Sequence, residues 1–292
     1  HRVMTDPSVL SGRAPVMGGE ALITIVGGTQ AILDDALLLA KRCEVVWSRF
    51  TRGSEIQLLN HSEGKRVEVS PLTVALVHEM KQGVALTDGD FNPTILPRVI
   101  AAGYHSSLVD EAETLLPLDV RVFESLDSIS IHEDSIQLPL GMTLDAGGIG
   151  KGFAGDLIAA AVMNSGASGV MVSLSGDIVV AGEGPQIGGW NIGVENPFVE
   201  NEHVDVVQLV DAAVVTSSQR KKRFGSAHHL IDPRTGESAA TRVQTVSVIA
   251  ATGARAEALA KSGFLRSTNA FLEWLPTVGA AGLVIDEAGN RS

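Results

Sequence analysis

Val170-Met171-Val172-Ser173-Leu174, then Ser175-Gly176-Asp177, then Ile178-Val179-Val180-Ala181 are two short β-branched runs parted by turn residues. Val and Ile suit a pleated, half-buried strand, so the stretch predicts two neighbouring strands that reverse at the Ser-Gly-Asp turn. Upstream, Gly152 to about Asn164 reads as a helix that follows a glycine-rich loop and stops near Gly166. Downstream, strands are expected at Trp190 to Val194, Val204 to Val210, Val243 to Ile249 and Gly282 to Ile285, with Thr252 capping a helix to about Leu265. In the first half, Leu22 to Val26 reads as a strand ended by Gly27-Gly28. A helix capped by Thr29 follows to about Val46, with Ile32, Leu33, Ala36, Leu37 and Ala40 on one face. A second helix opens at Ser70-Pro71 with Leu72, Ala75, Leu76 and Met80 inward, and Ile129 to Leu138 alternates as a hairpin around Glu133-Asp134. Hairpin-like neighbours outnumber strand–helix alternations. The expected fold class is α+β, a mixed, largely antiparallel sheet packed with helices. Residues 1–16, with Pro7, Gly12 and Pro15 and little periodicity, are expected to be a loose arm, and 17–292 a single domain.

Composition narrows the function classes. The 292 residues carry a formal charge of −12, so the cationic footprint of a nucleic-acid binder is missing. The one basic run, Arg220-Lys221-Lys222-Arg223, reads as a solvated turn or a local anion contact. Aromatics are only 4%, so the core must come from Val, Leu, Ile and Ala. A single cysteine, Cys43, excludes an intrachain disulfide and sits where a buried core residue is expected. No apolar run reaches membrane-spanning length, and the opening residues lack the apolar stretch of a signal peptide, so a cytoplasmic location is expected.

The chemistry concentrates at Leu144-Asp145-Ala146-Gly147-Gly148-Ile149-Gly150-Lys151-Gly152-Phe153-Ala154-Gly155-Asp156. Glycines at a strand-to-helix junction let backbone N–H groups turn toward an anion, and Lys151 adds a full charge, an arrangement suited to a phosphate or pyrophosphate. The alternative is a glycine-rich turn that packs helix on strand. It is not a Walker A loop, because Gly152 stands where Ser or Thr is required. His228-His229-Leu230-Ile231-Asp232-Pro233-Arg234-Thr235-Gly236 reads equally as a plain turn or as a loop offering one histidine to a site. No HExxH, GxSxG or CxxC occurs.

Together these segments resemble the ApbE family of FAD:protein FMN transferases. Asp145 to Asp156 is similar to its D-x-G-G-x-x-K-G-[YF]-A-x-D signature, Met17-Gly18 to its M-G-T entry, and Ser48-Arg49-Phe50, Ser54-Glu55 and Leu59-Asn60 to its S-x-[FY]…S-E…L-N block. Phe91-Asn92-Pro93-Thr94 resembles F-D-P-T with Asn for Asp. Gly176-Asp177, Val194-Glu195-Asn196-Pro197, Thr216-Ser217 and His229-Leu230-Ile231-Asp232-Pro233 follow in the family's order.

The resemblance implies an ApbE-like, T-fold-related architecture and a reaction in which FAD is cleaved at its pyrophosphate. FMN is attached by a phosphoester to a Thr or Ser hydroxyl of an acceptor flavoprotein, and AMP leaves. An FAD pyrophosphate hydrolase and an FAD-binding protein without transfer activity are the alternatives. On this resemblance Met17, Phe50, Asp90, Phe91, Asn92, Asp145, Lys151, Ile231 and Ala260 line the FAD site. Lys151 is expected to face the pyrophosphate, and His229 to help deprotonate the acceptor hydroxyl or orient the phosphate. The family's Mg²⁺ site matches Gly148, Glu257 and Lys261 here. Glutamate can ligate Mg²⁺, but a lysine ammonium has no lone pair to offer. Lys261 would then put its ammonium where the ion belongs, pairing with Glu257 and neutralising the pyrophosphate without metal, or swing out and leave Glu257 and the loop carbonyl to hold Mg²⁺ with more water. As a surface pair, Glu257 and Lys261 would contribute only about 0.2–0.5 kcal/mol. The family often works outside the cytoplasmic membrane on a lipid anchor, which makes a cell-envelope location the alternative to a cytoplasmic one.

Overall fold

The computed structural model describes residues 7–101, 116–117, 119–219, 230–237, 239 and 241–292. It opens on a hairpin of β1 (Val9–Val16) and β2 (Gly19–Val26). The two-residue turn between them, Met17-Gly18, has φ of 52° and 74°. Left-handed values at both positions match the twist of the flanking strands. The expected loose arm is corrected here, since Val9–Val16 is a full strand, while residues 1–6 lie outside the described residues. Pro15 argued against a strand, but β1 is the outermost strand of its sheet, where proline is tolerated.

Next comes α1 (Gln30–Trp47), started by the Thr29 side chain accepting the Ile32 N–H and burying Leu33, Ala36, Ala40, Cys43 and Trp47. A short α2 (Glu55–Asn60), β3 (Arg66–Glu68) and α3 (Pro71–Thr87) follow. The inward face of α3 is turned from the one expected: Thr73, Leu76, Val77 and Met80 are buried, while Leu72 and Ala75 are only partly so. The cause is Glu55, whose carboxylate accepts the Ser70 hydroxyl at 2.8 Å and also the Thr73 hydroxyl, drawing Thr73 inward. After α4 (Leu96–Ala101), strands β4 (Ser130–Ile131) and β5 (Ser135–Gln137) form the predicted hairpin and join β3 in a small sheet.

The second half supplies α5 (Gly150–Asn164), β6 (Gly169–Leu174), β7 (Asp177–Gly182), β8 (Trp190–Glu195), β9 (His203–Leu209) and β10 (Ala212–Ser218). It closes with β11 (Val243–Ala250), α6 (Gly253–Leu265), α7 (Thr268–Trp274) and β12 (Ala281–Asp286). Strand β10 is not foreseen, because the turn before it uses Asp211 at φ 45° rather than a glycine or proline. The main sheet has the order β1-β2-β6-β7-β10-β11-β12, and every pairing in it is antiparallel. Ser175 and Gly176 make the two-residue turn of the 170–181 hairpin, with φ of 52° and 91°.

The architecture is α+β, as expected. Helices α1, α5 and α6 cover one face of the sheet, over Ile23, Ile25, Val170, Val172, Val246 and Val248. The β8–β9 hairpin covers the other, packing Trp190, Ile192 and Leu209 on Val26, Val180 and Val214. No described helix is long and apolar enough to cross a membrane.

Candidate functional site

The signature loop is built from both sides. Asn60, at the end of α2, clamps Leu144: its amide nitrogen donates to the Leu144 carbonyl at 2.9 Å, and its oxygen accepts the Leu144 N–H at 2.7 Å. Asp145 then turns the chain by accepting the Gly147 N–H at 3.0 Å, while its own N–H donates to the Pro93 carbonyl at 2.9 Å. Arg49, only 3% exposed, brings its Nε to 3.8 Å from the Asp145 carboxylate and lies 4.1 Å above the Phe50 ring. Burial lowers the Arg49 pKa, and Asp145 opposes that shift.

These contacts leave a small open cleft. Asp90, Phe91, Asn92, Asp145, Gly148, Ile231 and Lys261, all singled out from the sequence, line it together with Pro93 and Ile95. Asp90 holds the rim. Its carboxylate accepts Arg234 Nη1 at 2.8 Å and Arg266 Nε at 2.7 Å. Those arginines also donate to the Asp88 and Thr87 carbonyls, both at 3.0 Å, and Arg266 lies 3.8 Å above the Trp274 ring. Asn92 explains its departure from aspartate: its oxygen accepts the Thr94 N–H and hydroxyl, while its Nδ2 donates to the Phe123 carbonyl at 2.8 Å. A carboxylate could not make that donation.

Lys261 belongs to a cluster of two acids and two lysines, with Lys151, Asp177 and Glu257. Lys151 Nζ is 3.6 Å from the Asp177 carboxylate, so its ammonium is directed at Asp177. Burial pulls the Lys151 pKa down, but Asp177 and Glu257 outweigh it and hold the ammonium above the ordinary lysine value. Glu257, 2% exposed, accepts the Gly152 N–H at 2.7 Å. The anion at that backbone N–H is thus one of the protein's own carboxylates. Burial, reinforced by Asp177, raises the Glu257 pKa, and burial lowers that of Lys261. Asp156, at the far end of the signature, accepts the Gly253 and Ala254 N–H groups at 2.6 and 2.9 Å and so caps α6. Burial pushes its carboxyl up to about 6.

The remaining sequence candidates fall elsewhere. Met17 sits in the β1–β2 turn with its N–H donating to Glu44 at 2.8 Å, Phe50 stacks under Arg49, and Ala260 is fully buried in α6. His229 and the basic run at 220–223 lie outside the described residues. The sequence reading missed Arg49, Arg234 and Arg266 as participants. Each meets its carboxylate only through the tertiary fold, and no local spacing signals it.

The position expected to hold Mg²⁺ does not fit the ion. Mg²⁺ requires near-octahedral oxygen ligands. Glu257 spends one acceptor site on the Gly152 N–H and keeps others, but the group four residues on, where a second oxygen is needed, is an ammonium with no lone pair. No group of three or more His, Cys, Asp or Glu among the described residues is arranged for a metal.

Fold and site together define an α+β protein in which a glycine-rich loop and helix α6 help to wall a charged cleft. The ApbE family model matches residues 17–283, and the chain belongs to that family. It is 28% identical over 287 residues to the FAD:protein FMN transferase of Treponema pallidum, covering 90% of this chain and 79% of that protein. The FAD:protein FMN transferase of Klebsiella pneumoniae is 26% identical over 261 residues, 84% of this chain and 79% of that one. Among solved structures, the ApbE protein of Thermotoga maritima superimposes with a TM-score of 0.80 at 22% identity, covering 98% of this chain and 96% of that chain. The apo flavinyl transferase ApbE of Pseudomonas stutzeri also gives 0.80, at 19% identity and with 99% and 95% covered. These two likenesses bear on the fold.

Proposed function

We propose that this chain is an FAD:protein FMN transferase. The observation that carries the reading is the cleft itself. Segments around residues 90, 145, 231 and 261 converge on one cavity, and they include the stretches whose sequence resembles the family's motifs. Relatives matched over 84% and 90% of this chain are named for the same reaction.

The acceptor hydroxyl oxygen bonds to the FMN phosphorus, and the bond from that phosphorus to the bridging oxygen breaks. AMP leaves with the bridging oxygen and one further negative charge, and the hydroxyl proton is released. Positioning and charge neutralisation carry most of such a reaction. Phe91 and Ile231 offer apolar walls, Asp145 and Arg49 fix the loop, and Lys261 brings a positive charge to the cleft wall. His229 is the proposed proton acceptor, and its neighbour Ile231 lines the cleft.

The test is incubation with FAD and a flavin-accepting protein, following AMP by chromatography and flavin fluorescence on a denaturing gel. Covalent flavin with AMP in equal amount is expected, and His229→Ala should remove both. AMP with only free FMN would make the protein a hydrolase, and FAD held intact would make it a binding protein.

A further inference from the structure

We propose, resting on the transferase reading, that Lys261 takes the place of a divalent cation, so that the FAD pyrophosphate is neutralised by an ammonium fixed in the fold. Three observations converge on this side chain. Lys261 is only 6% exposed, yet it lines the cleft. Its stem runs along the glycine-rich loop, with Cε 3.4 Å from where a Cβ on Gly148 would stand. That puts its charge beside the loop expected to offer the ion a carbonyl.

The third observation is what the ammonium does not touch. Around the cleft, Lys151 is committed to Asp177, and Arg234 and Arg266 to Asp90. Lys261 forms no ion pair among the described residues; Glu257, Asp177 and Asp145 attract it and Lys151 repels it only as charges nearby. A buried charge without a direct partner is costly to hold. A dianionic pyrophosphate entering the cleft would supply that partner and accept the ammonium's hydrogen bonds.

An ammonium and a metal ion differ in ways an experiment can read. The whole chain, stripped with EDTA, would be titrated with FAD by flavin fluorescence, with and without millimolar MgCl₂, and with MgCl₂ alone by calorimetry. The expected result is tight FAD binding that Mg²⁺ leaves unchanged, and no heat of Mg²⁺ binding. Lys261→Met should weaken FAD binding by about 10- to 100-fold, the range for losing a hydrogen bond to a charged group. Lys261→Thr should weaken it in EDTA and recover it with MgCl₂. FAD affinity of the unaltered chain that rises with Mg²⁺, or a heat of Mg²⁺ binding abolished by Glu257→Gln, would overturn the inference and leave the transferase reading standing. Failure to bind FAD in either buffer would overturn both. If neither Lys261 variant folds, the titration of the unaltered chain decides alone.

Discussion

Gly152 and Gly253 meet backbone to backbone where α5 crosses α6. A Cβ on Gly152 would stand 2.2 Å from the Gly253 carbonyl oxygen, and one on Gly253 2.3 Å from that of Gly152. Backbone cannot swing aside, so Gly152→Ala is expected to lower stability by about 3 kcal/mol, the upper end for overpacking, or to prevent folding. Gly148 differs, since a Cβ there would lie 3.1 Å from the Phe91 ring and 3.4 Å from the Lys261 stem, both side chains that wall the cleft. Gly148→Ala should therefore cost less stability and mainly weaken FAD binding. Urea midpoints and FAD titrations of the two variants would check this ranking, and a reversed order would contradict it. The two glycines look alike in the signature, and only the helix crossing tells them apart.

Between elements, Asp90 fastens the segment at 230–237 to the end of α3 and the end of α6 through Arg234 and Arg266. The Arg234 side chain is 54% exposed, so Arg234→Ala should cost no more than about 1 kcal/mol of stability. It should nonetheless weaken FAD binding, because the segment carrying Ile231 loses its anchor. Hydrogen exchange across 230–237 would rise in the variant, and unchanged exchange would refute the anchoring role. Elements with a local start signal were legible in the sequence: Thr29 and Thr252 cap α1 and α6, and Ser175-Gly176 turns β6 into β7. Strand β1 was not, because its identity comes from pairing with β2, and Pro15 disguised it. At the site, Asp90, Phe91, Asn92 and Asp145 were legible through a shared motif pattern. The capping work of Asp156 and the commitment of Lys151 to Asp177 depend on how α5, α6 and β7 pack, which no spacing encodes.

For the molecule as a whole, Cys43 reports on the fold. It is fully buried in α1, and burial pushes its thiol from 9.0 up to about 12. Above pH 9 the unfolded chain gives up this proton while the folded chain keeps it, so folding stability falls as pH rises toward 12. The slope is about 1.4 kcal/mol per pH unit from this one group. Cys43→Ala should flatten that alkaline decline relative to the parent, as read from denaturation midpoints across the range. Equal slopes in parent and variant would count against a buried thiol.

The strand order carries a consequence for synthesis. Strand β2 pairs with β6, so Ala21 to Val26 find their second neighbour only at Gly169 to Leu174. A chain emerging from the ribosome therefore presents the first hairpin with one row of backbone groups open until β6 has left the exit tunnel. Such an open edge invites pairing with other nascent chains. The cleft closes later still, because Lys261 stands on the last helix to pack against the sheet's centre. Slow translation would lengthen the vulnerable interval, and a chaperone that shields strand edges would act on the first half of this chain.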